Sequence, residues 1–202
     1  MAAKPEVWIT GAGGLIGNQL VQLAPVYAKD FEIVGLARRD LDLTDYAEVK
    51  RLFQQRKPAM VIHCAAMSKS PECQAHPKLA WQTNVEATAQ LATLSADIPF
   101  VFFSSDLVFD GSKGNYVETD APNPLSVYAE TKVAAEKIVL ENPRHIVVRT
   151  SLNAGKTGGD RAFNEEMLKA AKSGRVMKLF VDEYRSPIAA SVTARAVWEL
   201  VQ

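Results

Sequence analysis

Three residues of this sequence, Ser105, Tyr128 and Lys132, have the types and the spacing needed for acid–base chemistry on a carbonyl group. Tyr128 and Lys132 are four residues apart at the start of a predicted helix, so both side chains leave the same face. A phenol with its ordinary pKa of about 10 is a poor acid–base group at neutral pH, and a nearby ammonium favours its ionised form. Ser105 follows a predicted strand, where its hydroxyl could hold the oxygen of the carbonyl. Each residue alone is common in helices and turns, and only the combination predicts an enzyme site.

A glycine-rich turn precedes these residues near the N-terminus. Gly11, Gly14 and Gly17 are spaced as G-x-x-G-x-x-G between a predicted strand and a predicted helix, which Leu15 and Ile16 begin. In a dinucleotide-binding turn the backbone comes close to a pyrophosphate, and the helix N-terminus offers free N–H groups to it. The alternative is a glycine turn without a ligand. The order of strand, glycines and helix favours dinucleotide binding.

The end of the second predicted strand carries Arg38 and Arg39, where an NAD-specific site needs an acidic residue. A guanidinium can hold two phosphate oxygens at once, which suits the 2′-phosphate of NADP(H). Asp40 and Asp42 follow closely and weaken the positive field, so a solvated charged loop is the alternative. The sequence favours NADP(H), with NAD(H) as the second choice.

Short apolar runs alternate with longer amphipathic segments, which predicts an α/β fold: a Rossmann-type, doubly wound parallel sheet with helices on both faces. The predicted strands cover residues 6–10, 31–37, 59–64, 99–104 and 145–149. The predicted helices cover residues 14–27, 44–55, 77–96 and 126–141, with Thr44 as an N-cap and Pro25 ending or distorting the first helix. Later residues predict a glycine-rich loop over 155–160, a helix over 162–172, a strand over 176–181 and a helix from 191.

The composition limits the partners. The formal net charge is zero, so no basic field predicts binding to nucleic acid or to an anionic membrane. No apolar stretch approaches the roughly 18 residues that span a bilayer, and no secretory signal is recognisable. Cys64 and Cys73 form no CxxC pair, and His63 and His76 lack metal-ligand partners at suitable spacing. We therefore expect a protein of a reducing, cytoplasmic compartment without a metal site.

Seven segments resemble the extended short-chain dehydrogenase/reductases, and among them the dTDP-4-dehydrorhamnose reductases. They are Thr-Gly-Ala-Gly-Gly-Leu-Ile-Gly at 10–17, Asp-Leu-Asp-Leu-Thr-Asp at 40–45, His-Cys-Ala-Ala at 63–66, Ser-Ser-Asp-Leu-Val-Phe-Asp-Gly at 104–111, Glu-Thr-Asp at 118–120, Arg-Thr-Ser at 149–151 and Asp-Glu-Tyr-Arg-Ser-Pro at 182–187. The match runs nearly end to end, and the run at 104–111 is particularly specific.

The resemblance implies hydride transfer from NAD(P)H to the 4-keto carbon of a nucleotide-linked deoxysugar. Ser105 would polarise the carbonyl, Tyr128 would protonate the developing alkoxide, and Lys132 would support both the tyrosine and the cofactor ribose. Asp106 would contact the substrate beside Ser105. The family also implies a nucleotide-sugar substrate as partner and a homodimer.

Further cofactor contacts come from the same resemblance. Asp42 and Leu43 would flank the adenine. The groove of the cofactor would be lined by Ala65, Ala66 and Ser68. Asn84 would be either a structural or a proton-relay residue, with a local hydrogen bond in its helix as an equal alternative.

The sequence departs from the reductases at its C-terminal end. Leu152 stands where the reductases usually carry a tryptophan, and members of the family continue well beyond the equivalent of Gln202. We expect an NAD(P)-binding domain over 1–150, and over 151–202 the last Rossmann elements with the start of an incomplete substrate lobe. Two other functions stay open: a sugar-nucleotide epimerase or dehydratase with tightly held NAD, and a cofactor-binding regulatory subunit like the β subunit of methionine adenosyltransferase.

Overall fold

A five-stranded parallel sheet forms the centre of the computed structural model, which describes residues 3–156 and 162–202. Its strands are β1 (Glu6–Thr10), β2 (Glu32–Leu36), β3 (Met60–His63), β4 (Phe100–Ser105) and β5 (His145–Thr150). They lie in the order β2-β1-β3-β4-β5. The chain adds β2 on one side of β1 and then β3, β4 and β5 on the other side, with all strands parallel. The point between β1 and β3 is where doubly wound sheets open a ligand crevice at the carboxyl ends of the strands.

Helices cover both faces of the sheet, which confirms the predicted fold class. They are α1 (Leu15–Tyr27), α2 (Tyr46–Arg56), α3 (Ser70–Ala75), α4 (Pro77–Trp81), α5 (Ala87–Leu94), α6 (Val127–Val139), α7 (Phe163–Ser173) and α8 (Ala190–Leu200). Successive side chains of a strand point to opposite faces, so Ile9 packs with Leu20 of α1 and Trp198 of α8. Trp8 packs with Val49 of α2 on the other face. None of the described helices is long and apolar enough to cross a bilayer.

The predicted helices agree with the observed ones to within about two residues at most ends, but one predicted cap was wrong and one short helix was missed. Thr44 does not cap α2, because its hydroxyl donates to Asp42 while the side chain of Asp45 accepts from the backbone N–H of Glu48. Pro25 lies inside α1 and does not end it, and the helix runs to Tyr27 as predicted. The predicted helix over 77–96 is α4, a π-helical segment (Gln82–Glu86) and α5, and α3 precedes it unpredicted.

The predicted strand over 176–181 was also wrong, because its side chains find no sheet to pack on. Val176, Phe180 and Val181 are 88%, 79% and 94% exposed, and the segment has no regular structure. The chain forms a short strand later instead, β7 (Ile188–Ala189), which pairs with β6 (Asn153–Ala154). Residues 157–160 of the predicted glycine-rich loop lie outside the described residues.

Candidate active site

The glycine turn after β1 requires glycine at two of its three predicted positions. Gly11 has a φ of +69°, and a Cβ there would lie 2.7 Å from the backbone nitrogen of Ala65. A Cβ on Gly17 would lie 2.4 Å from the carbonyl oxygen of Gly11. The turn is thus pressed against the segment that follows β3 at Gly11 and against the start of α1 at Gly17. A side chain at Gly11 would force the turn away from that segment, and one at Gly17 would force α1 away from the turn.

The N-terminus of α1 is left open to a ligand. Its N-cap, Gly14, makes no side-chain hydrogen bond, and the first turn holds no acidic residue. The first N–H groups of the helix, including those of Leu15 and Ile16, therefore keep their partial positive charge uncompensated by a side chain. This arrangement suits a phosphate group.

The two arginines after β2 extend into solvent at the same edge of the sheet. The side chains of Arg38 and Arg39 are 82% and 88% exposed, and each lies 3.6 Å from a carboxylate, that of Asp42 and that of Asp40 respectively. The carboxylate of Asp42 also accepts from the backbone and hydroxyl of Thr44, and these hydrogen bonds lower its pKa. Because exposed ion pairs of this kind are weak, both guanidinium groups are free to engage a 2′-phosphate.

The loop after β3 is fixed from behind by Asn84, which lies in the π-helical segment. Its side-chain oxygen accepts from the N–H of Met67 (2.8 Å), and its nitrogen donates to the carbonyl of Met67 and to the hydroxyl of Thr131, both at 3.0 Å. Asn84 therefore joins this loop, with the half-buried Ala65 and Ala66 and the exposed Ser68, to α6. The side chain of Asn84 therefore bridges distant segments and does not make only a local hydrogen bond in its own helix.

A buried chain of hydrogen bonds behind the turn was not predicted from the sequence. Thr88 donates its hydroxyl to the carbonyl of Asn84, so it accepts from Nε2 of His63, which lies 3.0 Å away. Nδ1 of His63 then accepts from the hydroxyl of Thr10 at 2.6 Å. Burial lowers the pKa of His63 to about 3, and Lys132 adds to the effect, so the ring is neutral. No group of three or more His, Cys, Asp and Glu side chains that could hold a metal lies among the described residues.

Ser105, Tyr128 and Lys132 meet at the carboxyl end of β4. Ser105 is the last residue of that strand, whereas the sequence predicted a strand that ends at residue 104, just before Ser105. Ser126 caps α6 by accepting from the N–H of Ala129 at 3.2 Å, which places Tyr128 and Lys132 on the buried face of the helix, 9% and 3% exposed. The Nζ of Lys132 lies 6.0 Å from the centre of the Tyr128 ring.

Burial shifts the pKa values of the phenol and the ammonium in opposite directions. Burial raises the pKa of Tyr128 to about 12, and a hydrogen bond with Ser105 opposes the rise. Burial lowers the pKa of Lys132 to about 8. The sequence led us to expect a lowered pKa for Tyr128, but the ammonium of Lys132 donates to the carbonyl of Phe103 at 2.9 Å, and desolvation of the phenol dominates. Tyr128 is therefore a protonated acid at neutral pH.

The carboxylate of Asp106, predicted to contact substrate, is held by the protein itself. Arg185, 79 residues further along the chain, donates to both of its oxygens at 2.7 and 2.9 Å. The hydroxyl of Ser151 donates to one of them at 2.6 Å. Arg185 and Ser151 lie in segments of the family resemblance, but their pairing with Asp106 has no signal in a single sequence.

The comparisons with known proteins identify the family of this chain. The family described as RmlD substrate binding domain matches residues 5–202. A dTDP-4-dehydrorhamnose reductase of Aggregatibacter actinomycetemcomitans is 32% identical over 183 residues, which cover 89% of this chain and 61% of that protein. The methionine adenosyltransferase 2 subunit beta of Bos taurus is 37% identical over 146 residues, 68% of this chain and 43% of that protein. The chain thus spans less than two thirds of the length of both relatives.

A solved structure is also similar over the whole chain. The dTDP-4-dehydrorhamnose reductase of Bacillus anthracis, in complex with NADP, superimposes with a TM-score of 0.88 at 28% identity, covering 100% of this chain and 72% of that one.

Proposed function

The chain belongs to the RmlD substrate-binding domain family, and on this premise we propose that it reduces a nucleotide-linked 4-keto-6-deoxysugar with NADPH. The observation that carries the proposal is the meeting of Ser105, Tyr128 and Lys132 at the carboxyl end of β4. They lie on the same edge of the sheet as the glycine turn. Relatives named as dTDP-4-dehydrorhamnose reductases support the substrate class.

The residues present fit an NADP(H) molecule. Its pyrophosphate would lie on the uncapped N-terminus of α1, where Gly11 and Gly17 keep the turn narrow. Arg38 and Arg39 would hold the 2′-phosphate, and the NADP complex of the Bacillus anthracis relative favours this choice over NAD(H). When bound, NADPH supplies the hydride for the carbonyl carbon.

The side chains of this protein would then handle the substrate oxygen. The hydroxyl of Ser105 would donate to the carbonyl and polarise it, and Tyr128 would protonate the alkoxide as it forms. The raised pKa of Tyr128 keeps its proton in place at neutral pH until the oxygen becomes basic enough to take it. The ammonium of Lys132 would stabilise the resulting phenolate, because an adjacent positive charge favours the ionised form.

Oxidation of NADPH in the presence of dTDP-4-dehydrorhamnose, followed by absorbance, tests the proposal. Tyr128→Phe should abolish turnover while leaving the dissociation constant for NADPH unchanged, since only the proton donor is lost. Tyr184→Phe is the matched control, because Tyr184 is 92% exposed. Full activity of the Tyr128 variant would refute the assignment of the acid, and absence of NADPH binding by the unaltered protein would refute the proposed function.

A regulatory role is the second candidate. It is favoured by the 37% identity to the bovine methionine adenosyltransferase 2 subunit beta, which is higher than the identity to the Aggregatibacter reductase. NADPH binding without turnover, together with tight binding to a methionine adenosyltransferase, would support this role instead. Three further expectations belong to the proposal. The homodimer follows from the family resemblance, and the cytoplasmic location follows from the cysteine content and the lack of a recognisable secretory signal. The division at residue 150 into a cofactor domain and the start of a substrate lobe follows from the sequence pattern together with the resemblance.

A further inference from the structure

The Asp106 carboxylate lies between the candidate catalytic serine and a distant arginine. Its Oδ1 receives the Nη2 of Arg185 at 2.7 Å, and the hydroxyl of Ser105 lies 3.3 Å from the same atom. Its Oδ2 receives the Nε of Arg185 at 2.9 Å and the hydroxyl of Ser151 at 2.6 Å. The short, charge-assisted contacts go to Arg185 and Ser151, whereas the contact with Ser105 is long and weak.

The hydroxyl of Ser105 has only one proton to donate. Its oxygen already accepts from the N–H of Leu107 at 3.2 Å, so the direction of the O–H bond decides whether the proton serves Asp106, the neighbouring Tyr128 or a substrate carbonyl. A free carboxylate would be the stronger acceptor, since O–H bonds to ionised oxygens are short and about twice as strong as neutral ones. Occupation of Oδ1 by Arg185 weakens this competition and leaves Ser105 with only the long contact at 3.3 Å.

We propose that Arg185 is a positioning residue, which occupies the Asp106 carboxylate so that the Ser105 hydroxyl stays available to the carbonyl oxygen of the substrate. The inference rests on the proposed reductase function. It gives the irregular segment before β7 a role in the reaction although its neighbours Val181 and Tyr184 are exposed to solvent. The planar fork of an arginine suits this role, because it covers both carboxylate oxygens at once.

The ion pair between Asp106 and Arg185 also shields the Tyr128 phenol from the negative charge of the Asp106 carboxylate. Asp106 raises the pKa of Tyr128 and Arg185 lowers it, so the two charges act in opposite directions on the phenol. Loss of Arg185 alone would leave the carboxylate acting on both the serine and the tyrosine. Replacement of both Asp106 and Arg185 by neutral residues would remove the effect of the carboxylate on Ser105 and Tyr128. If Arg185 only held the segment in place, the double variant would be as impaired as the single one.

The test compares Arg185→Gln, Arg185→Lys and the double variant Asp106→Asn/Arg185→Gln. We expect Arg185→Gln to lower kcat about tenfold, less than the roughly 10²–10³ loss on deleting an oxyanion donor, with NADPH affinity unchanged. Lysine should restore part of the loss, since it returns the charge without the fork. The double variant should recover most of it. Arg175→Gln is the control, because Arg175 forms an exposed ion pair with Glu166 at the start of the same segment.

Crystal structures of the unaltered protein and of Arg185→Gln provide a readout that needs no turnover. In the variant, the distance from the Ser105 hydroxyl to Oδ1 of Asp106 should shorten from 3.3 Å to about 2.7 Å, as expected for a bond to an ionised oxygen. An unchanged distance, unaltered kcat, or a double variant as impaired as Arg185→Gln would each overturn the proposal. If the unaltered protein reduces no keto-sugar, the reductase function fails, while the crystallographic distance still decides whether Arg185 competes with Ser105 for Asp106.

Discussion

Replacement of Lys132 by methionine should make the protein more stable at neutral pH while it abolishes reductase activity. Lys132 is 3% exposed, and burial lowers its pKa from 10.5 to about 8. One pKa unit corresponds to about 1.4 kcal/mol, so keeping the buried ammonium protonated costs on the order of 3 kcal/mol of folding free energy. Methionine fills a similar volume with no charge to desolvate.

Part of this gain is offset by contacts that methionine cannot make. The ammonium donates to the carbonyl of Phe103 at 2.9 Å and lies 4.5 Å from the centre of the Phe102 ring. A hydrogen bond from a charged group contributes about 1.5–3 kcal/mol, and some of that is already expressed in the pKa of Lys132. We therefore expect a net stabilisation of about 1 kcal/mol at neutral pH.

The pH dependence gives the sharper test, because its sign is fixed by the direction of the pKa shift. The folded protein binds this proton more weakly than the unfolded chain does, so below about pH 8 both states are protonated and the full penalty applies. Between about 8 and 10.5 the folded state loses the proton first, and the unaltered protein recovers stability relative to the variant. The advantage of the variant should therefore shrink and then reverse across this range.

Urea unfolding of both proteins at about pH 7 and about pH 10 measures the difference in free energy of unfolding. Lys137→Met is the matched control, since Lys137 is exposed on the same helix and should show no such pH dependence. A Lys132→Met variant whose stability relative to the unaltered protein is the same at both pH values would refute the argument from burial.

Two further changes test the cofactor turn. Gly17→Ala should weaken NADPH binding at least tenfold and lower the midpoint of thermal unfolding, because the new Cβ would lie 2.4 Å from the carbonyl oxygen of Gly11. Gly13→Ala is the control and should be tolerated, since the nearest atom to its Cβ would lie at 3.4 Å. Equal effects of the two substitutions in calorimetric titration and thermal melts would contradict this packing. Arg38→Ala should raise the dissociation constant for NADPH roughly tenfold, about the cost of one charge-assisted hydrogen bond, and leave that for NADH unchanged; an equal effect on both cofactors would remove Arg38 from the 2′-phosphate site.

The parts of the site that were predictable are those set by local spacing. The glycine turn needs three positions in one short segment, and Tyr128 and Lys132 need one turn of helix, so a single sequence contains the whole pattern. The five strands followed from apolar runs with buried side chains on both faces of a parallel sheet. The strand predicted over 176–181 failed because an apolar run needs a neighbouring strand and a face to cover, and neither is encoded in the run itself.

The parts that could not be predicted are choices among distant partners. Asn84 binds Met67 and Thr131, and Arg185 binds Asp106, and each pair is brought together only when the sheet has formed.

The direction of the Tyr128 pKa shift depends on the same assembly. The motif places an ammonium near a phenol and so suggests an easily ionised tyrosine. Folding buries both groups, however, and desolvation is the largest influence on the pKa of each. Burial therefore leaves Tyr128 as a proton donor in the direction of reduction and makes Lys132, with the lower pKa, the first of the pair to lose its proton as the pH rises.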